Sequence, residues 1–244
     1  MSETTGPVDL AGPAPAPSAV QPVRRTWLLA VLLGSTVLGT VSNNIVNVPL
    51  RQITDDFAAP VSQGVLVAAA TVLVLAVAMP LTGWITDRLG RRRTLLLALG
   101  VLLMGTLGAA LAPTLALLVL SRGLQGLGCA AIPTAVMGTL ARTWPAHQRS
   151  RVMGTWGAAN GIGQAIGPPI GGLLADGFGW RAIFGVLVPV TFAVLAVAVR
   201  AMPKDDARHT RIDPIGASSG ICLYRSVPFG TAPISKDIPR SWFI

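Results

Sequence analysis

Charged residues are scarce in this sequence of 244 residues. They account for 12% of the chain, whereas hydrophobic residues account for 52%. A soluble domain usually carries about 25% charged residues, so the charges here are too few to cover a water-facing surface. The composition therefore excludes an ordinary soluble protein and predicts an integral membrane protein.

Cysteine and histidine are equally rare, with two of each. Cys129 lies in an apolar run and Cys222 in the C-terminal segment, and two such thiols form neither a disulfide framework nor a zinc site. His147 and His209 lie in predicted loops, where they can neither activate an intramembrane serine nor ligate a haem within the membrane. Phosphate-binding and metal-binding motifs are missing as well. We therefore expect no metal, no cofactor and no enzymatic activity.

Acidic residues are fewer than basic ones, 10 against 19, which leaves a net charge of +9. A basic chain can indicate a nucleic-acid partner. Here, however, the arginines form short clusters between long uncharged runs, and binding to nucleic acid needs an exposed basic surface. The pattern disfavours nucleic acid and is typical of loops that flank a membrane.

The sequence does contain a series of long uncharged apolar runs. A helix needs about 20 residues to cross a bilayer core of about 30 Å, and backbone groups in lipid must be hydrogen-bonded within the segment. Most of the runs lack the period-2 alternation of barrel strands. We therefore predict an all-α bundle of six transmembrane helices within residues 25–203, with spans near 27–50, 61–85, 94–112, 114–140, 152–175 and 182–199.

The flanking segments differ in composition from the predicted bundle. Residues 1–24 are rich in proline, alanine and small polar residues, which predicts a disordered tail. The apolar run that follows is longer than a signal-peptide core of about 7–15 residues, so we expect it to remain as an anchor. Residues 204–244 contain no run long enough to cross a membrane, and we interpret them as a second tail from a truncated or out-of-frame sequence.

Basic residues are distributed unequally between the two sets of predicted loops. Lysine and arginine in short loops favour the cytoplasmic side. One set holds only Arg51 and Arg181, whereas the other holds twelve basic residues, so both termini are predicted to be cytoplasmic. The twelve are Arg24, Arg25, Arg88, Arg91, Arg92, Arg93, Arg142, Arg149, Arg151, Arg200, Lys204 and Arg208.

The loop between the second and third spans reads GWITDRLGRRR over residues 83–93. Gly83 would allow close helix approach, and Gly90 would allow a turn with φ > 0. The side chain of Asp87 could neutralise an arginine or face a helix N-terminus. On chemistry alone, a basic hairpin without a further role is an equal alternative. The loop residues selected for a functional role are Gly83, Asp87, Arg88, Gly90, Arg91 and Arg92.

The fourth span reads LSRGLQGLG over residues 120–128 and contains one charge, Arg122. An intramembrane arginine is costly and normally faces protein or water with a functional role. No acid lies in any predicted span, so an obvious ion-pair partner is missing. A structural arginine bonded to carbonyl groups is the alternative. The polar residues that could line a cavity with it are Asn43, Asn44, Asn47, Gln125, Asn160 and Gln164.

Small residues repeat along the fifth span. Gly163, Gly167 and Gly171 recur every four residues and form one ridge on a helix, which lets a neighbouring helix approach closely in lipid. Two prolines at 168 and 169 remove backbone donors and should bend the helix. A packing seam without a transport role is the alternative. The glycine-proline element comprises Gly154, Gly163, Gly167, Pro168, Gly171 and Gly172.

Together these motifs resemble the major facilitator superfamily over roughly residues 25–216. The loop at 83–93 is similar to its G-x-x-x-D-R-x-G-R-R signature, the fourth span to its R-x-x-Q-G-x-G element, and the fifth span to the glycine-proline element of its exporters. The WRAIF segment at 180–184 resembles the sixth-span entry of its fourteen-helix drug:proton antiporters. The resemblance implies the amino-terminal half of a multidrug efflux protein in a bacterial cytoplasmic membrane, in which Arg122 helps to couple protons to an amphipathic organic substrate.

The first span departs from that branch. The antiporters typically carry L-D-x-T-I-V-N-V-A-L-P, whereas this chain reads VSNNIVNVPL over residues 41–50. Ser42 stands in the place of the acid and cannot carry a proton, which argues against proton coupling through this helix. The asparagines of the span either line a polar cavity or only bond between helices.

The resemblance also leaves the assembly open. Facilitators work by rocking two helix bundles about a central site, and this sequence supplies one bundle. Residues 213–217 (DPIGA) resemble the lead-in to a seventh helix, after which the pattern ends. The alternatives to a transporting half are a truncated fragment that does not transport and a half-transporter that self-assembles. In either transporting case a second six-helix half would be a partner, beside the lipid bilayer, the substrate and protons.

Overall fold

Almost every residue that the computed structural model describes, residues 22–202, lies in a helix. The predicted tails at 1–24 and 204–244 fall outside the described residues, apart from residues 22–24, which begin the first helix. No strand occurs within 22–202. The helices are α1 (Pro22–Asn44), α2 (Leu50–Asp56), α3 (Val61–Leu89), α4 (Arg91–Ala110), α5 (Leu115–Thr143), α6 (Ala146–Phe178) and α7 (Trp180–Ala201), with a 3₁₀ turn at Ile45–Asn47.

Five helices of the described region are long and apolar enough to cross a membrane: α1 with the 3₁₀ turn, α3, α4, α5 and α7. Large apolar side chains such as Leu73 and Phe192 are exposed on them, as is expected of a surface in lipid. Helix α6 contains the predicted fifth span and runs for 33 residues, about 50 Å at 1.5 Å per residue. Its polar and glycine residues make it less apolar, so its crossing of the membrane stays a prediction.

The first predicted span, 27–50, does not continue as one helix. Helix α1 ends at Asn44, and the 3₁₀ turn and Pro49 separate it from α2. Proline has no N–H to donate and its ring clashes with the preceding turn, which disfavours an unbroken helix there. The short α2 is absent from the sequence prediction, because its seven residues, LRQITDD, contain three charges and no apolar run.

Two glycines turn the chain sharply between long helices. Gly90 (φ 85°) connects α3 to α4, and Gly179 (φ 81°) connects α6 to α7. Each donates its N–H to the last turn of the preceding helix, and glycine adopts this left-handed φ without steric cost. The turn predicted at Gly90 is confirmed. Because a single residue makes it, residues 91–93 lie in the first turn of α4 rather than in a loop.

Helix α5 is the most buried of the apolar helices and packs against α1, α3 and α4. Its small residues allow close contact with two of these helices. A Cβ added at Gly126 would lie 2.5 Å from the Thr71 carbonyl oxygen of α3, and one at Gly128 would lie 2.7 Å from the Ala98 carbonyl oxygen of α4. Helices in lipid associate through such packing, so α5 organises the bundle.

Polar contacts join the helices at both ends of the bundle. At one end, Arg92 of α4 donates from Nη2 to the Val199 carbonyl oxygen of α7 at 2.9 Å. We call this the basic end, because Arg88, Arg142 and Arg200 lie there in the last turns of α3, α5 and α7. At the opposite end, Asp56 of α2 accepts from Trp180 Nε1 at 2.8 Å and from Arg181 Nη1 at 3.2 Å. These bonds fasten α2 to α7.

Candidate functional site

Arg122 lies inside the bundle, where α1, α4 and α5 meet. It is the eighth residue of α5 (Leu115–Thr143), about 10 Å along the helix at 1.5 Å per residue. Its side chain is fully buried, with 0% exposed. A charged guanidinium in such a place is costly unless its N–H groups are hydrogen-bonded. The hydrogen-bond partners of Arg122 therefore determine its role in the bundle.

The guanidinium of Arg122 caps the end of α1. Nη1 donates to the Ser42 carbonyl oxygen at 2.8 Å, and Nη2 donates to the Asn43 carbonyl oxygen at 3.1 Å. Both carbonyls lie in the last turn of α1 (Pro22–Asn44). Carbonyl groups there lack intrahelical donors and together carry a partial negative charge. Arg122 therefore ties α5 to the point where α1 ends.

A chain of hydrogen bonds through Gln125 and Thr106 connects Arg122 to α4. Gln125 Oε1 accepts from Arg122 Nη1 at 2.6 Å, and Gln125 Nε2 donates to Thr106 Oγ1 at 2.9 Å. The Thr106 hydroxyl gives its own proton to the Leu102 carbonyl oxygen at 2.7 Å, so it can only accept from Gln125. The Gln125 amide is thereby fixed with its oxygen toward Arg122. Thr106 is absent from the sequence prediction, since a threonine in a leucine-rich helix gives no distinctive signal.

Every acceptor that Arg122 contacts is neutral. The ion pair between Arg181 and Asp56 lies at the end of the bundle opposite the basic end, and no carboxylate of residues 22–202 pairs with Arg122. Three polar atoms of these linked residues are buried without a hydrogen-bond partner: Arg122 Nε, Ser42 Oγ and Asn43 Oδ1. The site thus holds a positive charge together with polar atoms that the surrounding side chains leave unsatisfied.

The other predicted cavity residues form a separate group or stand alone. Asn44 and Asn160 meet at Thr40: Asn44 Nδ2 donates to the Thr40 carbonyl oxygen at 2.9 Å, and Thr40 Oγ1 donates to Asn160 Oδ1 at 2.8 Å. This group links α1 to α6. Asn47 and Gln164 are exposed and lie outside it. The structure thus brings Asn43 and Gln125 to the arginine and leaves the remaining four cavity candidates apart from it.

The glycine ridge of α6 lies against the same end of α1. Gly163, Gly167 and Gly171 are all buried. A Cβ added at Gly167 would lie 3.3 Å from Asn44 Cβ, and one at Gly171 would collide with the Ile45 carbonyl oxygen. Helix α6 therefore reaches contact distance with α1 only because these positions lack side chains. The end of α1 is held between α5 on one side and this ridge on the other.

The other members of the glycine-proline element take no part in the closest contact. A Cβ added at Gly154 would meet no atom within 4 Å, and one at Gly172 would lie 3.3 Å from a side-chain methyl of Val48. Pro168 and Pro169 lie within α6, and the helix continues through both. The closest approaches are therefore those at Gly163 and Gly171, while Gly172 lies as close to Val48 as Gly167 lies to Asn44.

Residues 83–88 of the predicted loop lie in the last turns of α3 rather than in a loop, at the basic end and away from Arg122. Asp87 and Arg88 are exposed, and the Arg88 guanidinium lies 4.1 Å from the centroid of the Trp84 ring, a cation–π contact. The close helix approach expected at Gly83 is not formed within residues 22–202, because a Cβ there would meet no described atom within 4 Å. The side chains of Asp87 and Arg88 thus lie at the surface of the described bundle.

The first arginines of α4 join neighbouring helices at the basic end. Arg91 packs over Gly138 of α5, where an added Cβ would lie 2.5 Å from Arg91 Nε. Arg92 reaches the end of α7, as described above. Arginine in this element therefore also has a packing role, which the sequence pattern does not reveal.

An all-helical bundle with several long apolar helices and apolar outer faces is the architecture of an integral membrane protein. Residues 30–243 match the Major Facilitator Superfamily. The chain belongs to this family.

Several relatives are bacterial proteins named for drug resistance or for transport. The chain is 38% identical over 178 residues to the Multidrug resistance protein Stp of Mycobacterium tuberculosis, covering 71% of this chain and 33% of Stp. It is 28% identical over 226 residues to the Methylenomycin A resistance protein of Streptomyces coelicolor, covering 92% and 46%. The Riboflavin transporter RibZ of Clostridioides difficile is 27% identical over 183 residues, with 75% and 40% covered. The chain thus spans less than half the length of each of these relatives.

A solved structure shows the same fold. The crystal structure of a D-xylose-proton symporter superposes with a TM-score of 0.68 at 16% sequence identity, covering 83% of this chain and 53% of that one. The agreement at so low an identity concerns the fold alone. It places this all-helical bundle in the facilitator architecture.

Proposed function

We propose that this chain forms the amino-terminal six-helix bundle of an exporter of drugs or other small organic molecules, driven by proton antiport. The observation that carries the proposal is Arg122, a fixed charge inside the bundle that connects three helices where α1 ends. A substrate or proton that changed the hydrogen bonds of Arg122 would change the packing of α1, α4 and α5 together. Two relatives are named a Methylenomycin A resistance protein and a Multidrug resistance protein, and these names support export.

The substrate class remains broad in this proposal. One relative is named for riboflavin rather than for a drug, so the shared property is a small organic molecule with apolar and polar parts. The exposed amides of Asn47 and Gln164 are available to such a molecule from the 3₁₀ turn after α1 and from α6. A fragment that does not transport and a half-transporter that self-assembles are the competing proposals.

Dye accumulation in bacteria that lack their major efflux pumps tests the proposal. The chain is expressed alone, and together with the carboxy-terminal half of Stp supplied as a separate polypeptide. We expect co-expression to lower the ethidium content of energised cells relative to the Stp half alone, and a protonophore to remove the difference. Lower ethidium with this chain alone would favour a self-assembling half-transporter. Unchanged ethidium in both cases would reject export of this dye and favour the non-transporting fragment.

The orientation is a second part of the proposal: a bacterial cytoplasmic membrane with both termini in the cytoplasm. The arginine-rich basic end then faces the cytoplasm. In a chain with Cys129 and Cys222 replaced by serine, His147→Cys at the basic end and Asp176→Cys at the opposite end both lie at exposed positions. In intact cells a membrane-impermeant maleimide should label the cysteine at 176 and spare the one at 147. The reverse pattern would invert the orientation.

A further inference from the structure

A groove lies on the outer surface of the bundle between α1 and α7. It has a volume of about 230 Å³, and apolar or small residues of both helices line it, among them Val194 and Val197 of α7. On α1, Val31 is buried at its floor, whereas Trp27 is 63% exposed at its rim. A Cβ added at Gly34, which also lines it, would meet no described atom within 4 Å. No other helix of residues 22–202 therefore fills the groove at this glycine.

The groove has the dimensions of a lipid tail rather than of a helix. Both α1 and α7 are long and apolar enough to cross a membrane, so the groove opens toward hydrocarbon. From Trp27 to Gly34 it follows α1 for about 10 Å at 1.5 Å per residue. An α-helix with its side chains is about 10–12 Å wide, whereas a single hydrocarbon chain is much narrower. A lipid acyl chain can thus enter the groove along its length.

Arg200 places a positive charge at the basic end of this groove. It follows Val197 by three residues, and residues with this spacing are neighbours on one face of a helix. Its Nη1 donates to the Ala196 carbonyl oxygen at 3.4 Å, so the guanidinium lies back along α7 at the level of Val197. The side chain is exposed, and no carboxylate of residues 22–202 pairs with it. The charge can therefore meet an anionic group at the end of the groove.

We propose that an anionic phospholipid binds at this place, with one acyl chain in the groove and its phosphate group at Arg200. Trp27 supports this position, because indole rings favour the level of the lipid headgroups. The rival occupant is a second copy of the chain. Two copies inserted in the same direction would bring their basic ends together, so charge complementarity favours the phosphate. The proposal goes beyond export and does not depend on it.

The test uses the complete chain in phosphatidylcholine vesicles that contain a minor fraction of lipid with brominated acyl chains. Bromine quenches tryptophan fluorescence on contact, and the difference between the wild type and Trp27→Phe isolates the emission of Trp27. The brominated lipid is phosphatidylglycerol in one series and phosphatidylcholine in the other. We expect half-quenching of Trp27 at an about fivefold lower fraction of the phosphatidylglycerol, the preference that one arginine near a membrane surface gives an anionic lipid.

Four variants assign this preference to the groove. Arg200→Gln removes the charge and should make the two lipids equally effective. Gly34→Leu fills the groove without meeting a described atom and should also reduce the preference. Arg142→Gln is the control for charge, because Arg142 is exposed in the last turn of α5. Gly185→Leu is the control for bulk, because a Cβ at this position on α7 also meets no described atom within 4 Å. Both controls should keep the preference.

Three results would overturn the proposal. Equal half-quenching fractions of the two brominated lipids in the wild type would exclude selection of an anionic headgroup. A full preference in Arg200→Gln or in Gly34→Leu would place the phosphate or the acyl chain elsewhere. Emission of Trp27 that neither lipid quenches would show that protein, such as a second copy, covers the groove. None of these measurements requires transport, so loss of the lipid site and loss of export can be distinguished.

Discussion

Replacing Arg122 by alanine should abolish drug efflux, although the variant still inserts into the membrane. Alanine cannot donate to the Ser42 and Asn43 carbonyl oxygens, and it leaves the Gln125 amide oxygen without its donor. The polar connection between α5 and the end of α1 is then lost. We expect ethidium in cells that co-express the Stp half to rise to the level of cells without this chain.

Two further variants show whether efflux depends on the positive charge of Arg122 or on the geometry of its guanidinium. Arg122→Lys keeps the charge, but an ammonium group lacks the planar fork that serves two carbonyls and an amide at once, so we expect efflux far below that of the wild type. Arg151→Ala is the matched control, because Arg151 is exposed at the basic end, and it should retain efflux. Immunoblots of the membrane fraction verify that each variant is present. Normal efflux in Arg122→Ala would remove this residue from the transport mechanism.

The long helices were predictable because hydropathy alone places an uncharged run of about 20 residues in lipid. Helix α2 was not, since tertiary contacts hold it: Asp56 binds α7, and Gln52 Nε2 donates to Asp176 Oδ1 of α6 at 3.1 Å. No local pattern encodes such contacts. The end of α1 at Asn44 has a similar origin, because packing against α5 and α6 fixes it together with Pro49.

The residues of the site were easier to predict than their partners. Arg122 stands out as a lone charge in an apolar run, and Gln125 follows one turn later on the same helix. The main acceptors, however, are backbone carbonyl oxygens of Ser42 and Asn43. Any residue supplies a carbonyl, so a side-chain pattern cannot indicate them. The role of Thr106 likewise follows only from the distance between α4 and α5.

Alanine substitutions along α6 should destabilise the chain in proportion to how closely each glycine approaches α1 or the 3₁₀ turn that follows it. At Gly171 the new Cβ would collide with the Ile45 carbonyl oxygen, and backbone cannot move aside as a flexible side chain can. Overpacking of this kind typically costs about 1–3 kcal/mol. Gly171→Ala should therefore lower the midpoint of thermal denaturation in detergent by several degrees, at roughly 2–4 °C for each kcal/mol in a chain of this length.

The same helix provides graded controls. At Gly167 the Cβ would lie 3.3 Å from Asn44 Cβ, whereas at Gly161 it would meet no described atom within 4 Å. Gly167→Ala should therefore cost less than Gly171→Ala. Gly161→Ala should be neutral or slightly stabilising, because alanine favours a helix over glycine by up to about 1 kcal/mol. Gly167→Leu adds a much larger side chain and should separate the two helices, with loss of efflux.

The order of the denaturation midpoints of the three alanine variants shows whether the glycines of α6 contact the end of α1 or merely lack side chains. If α6 in detergent lay farther from α1 than the contacts at Asn44 and Ile45 indicate, alanine would stabilise all three positions equally through its helix propensity. Equal midpoints for Gly171→Ala and Gly161→Ala would therefore contradict the close approach. A stable Gly167→Leu variant with normal efflux would go further, because the ridge could then neither hold the end of α1 nor influence the site at Arg122.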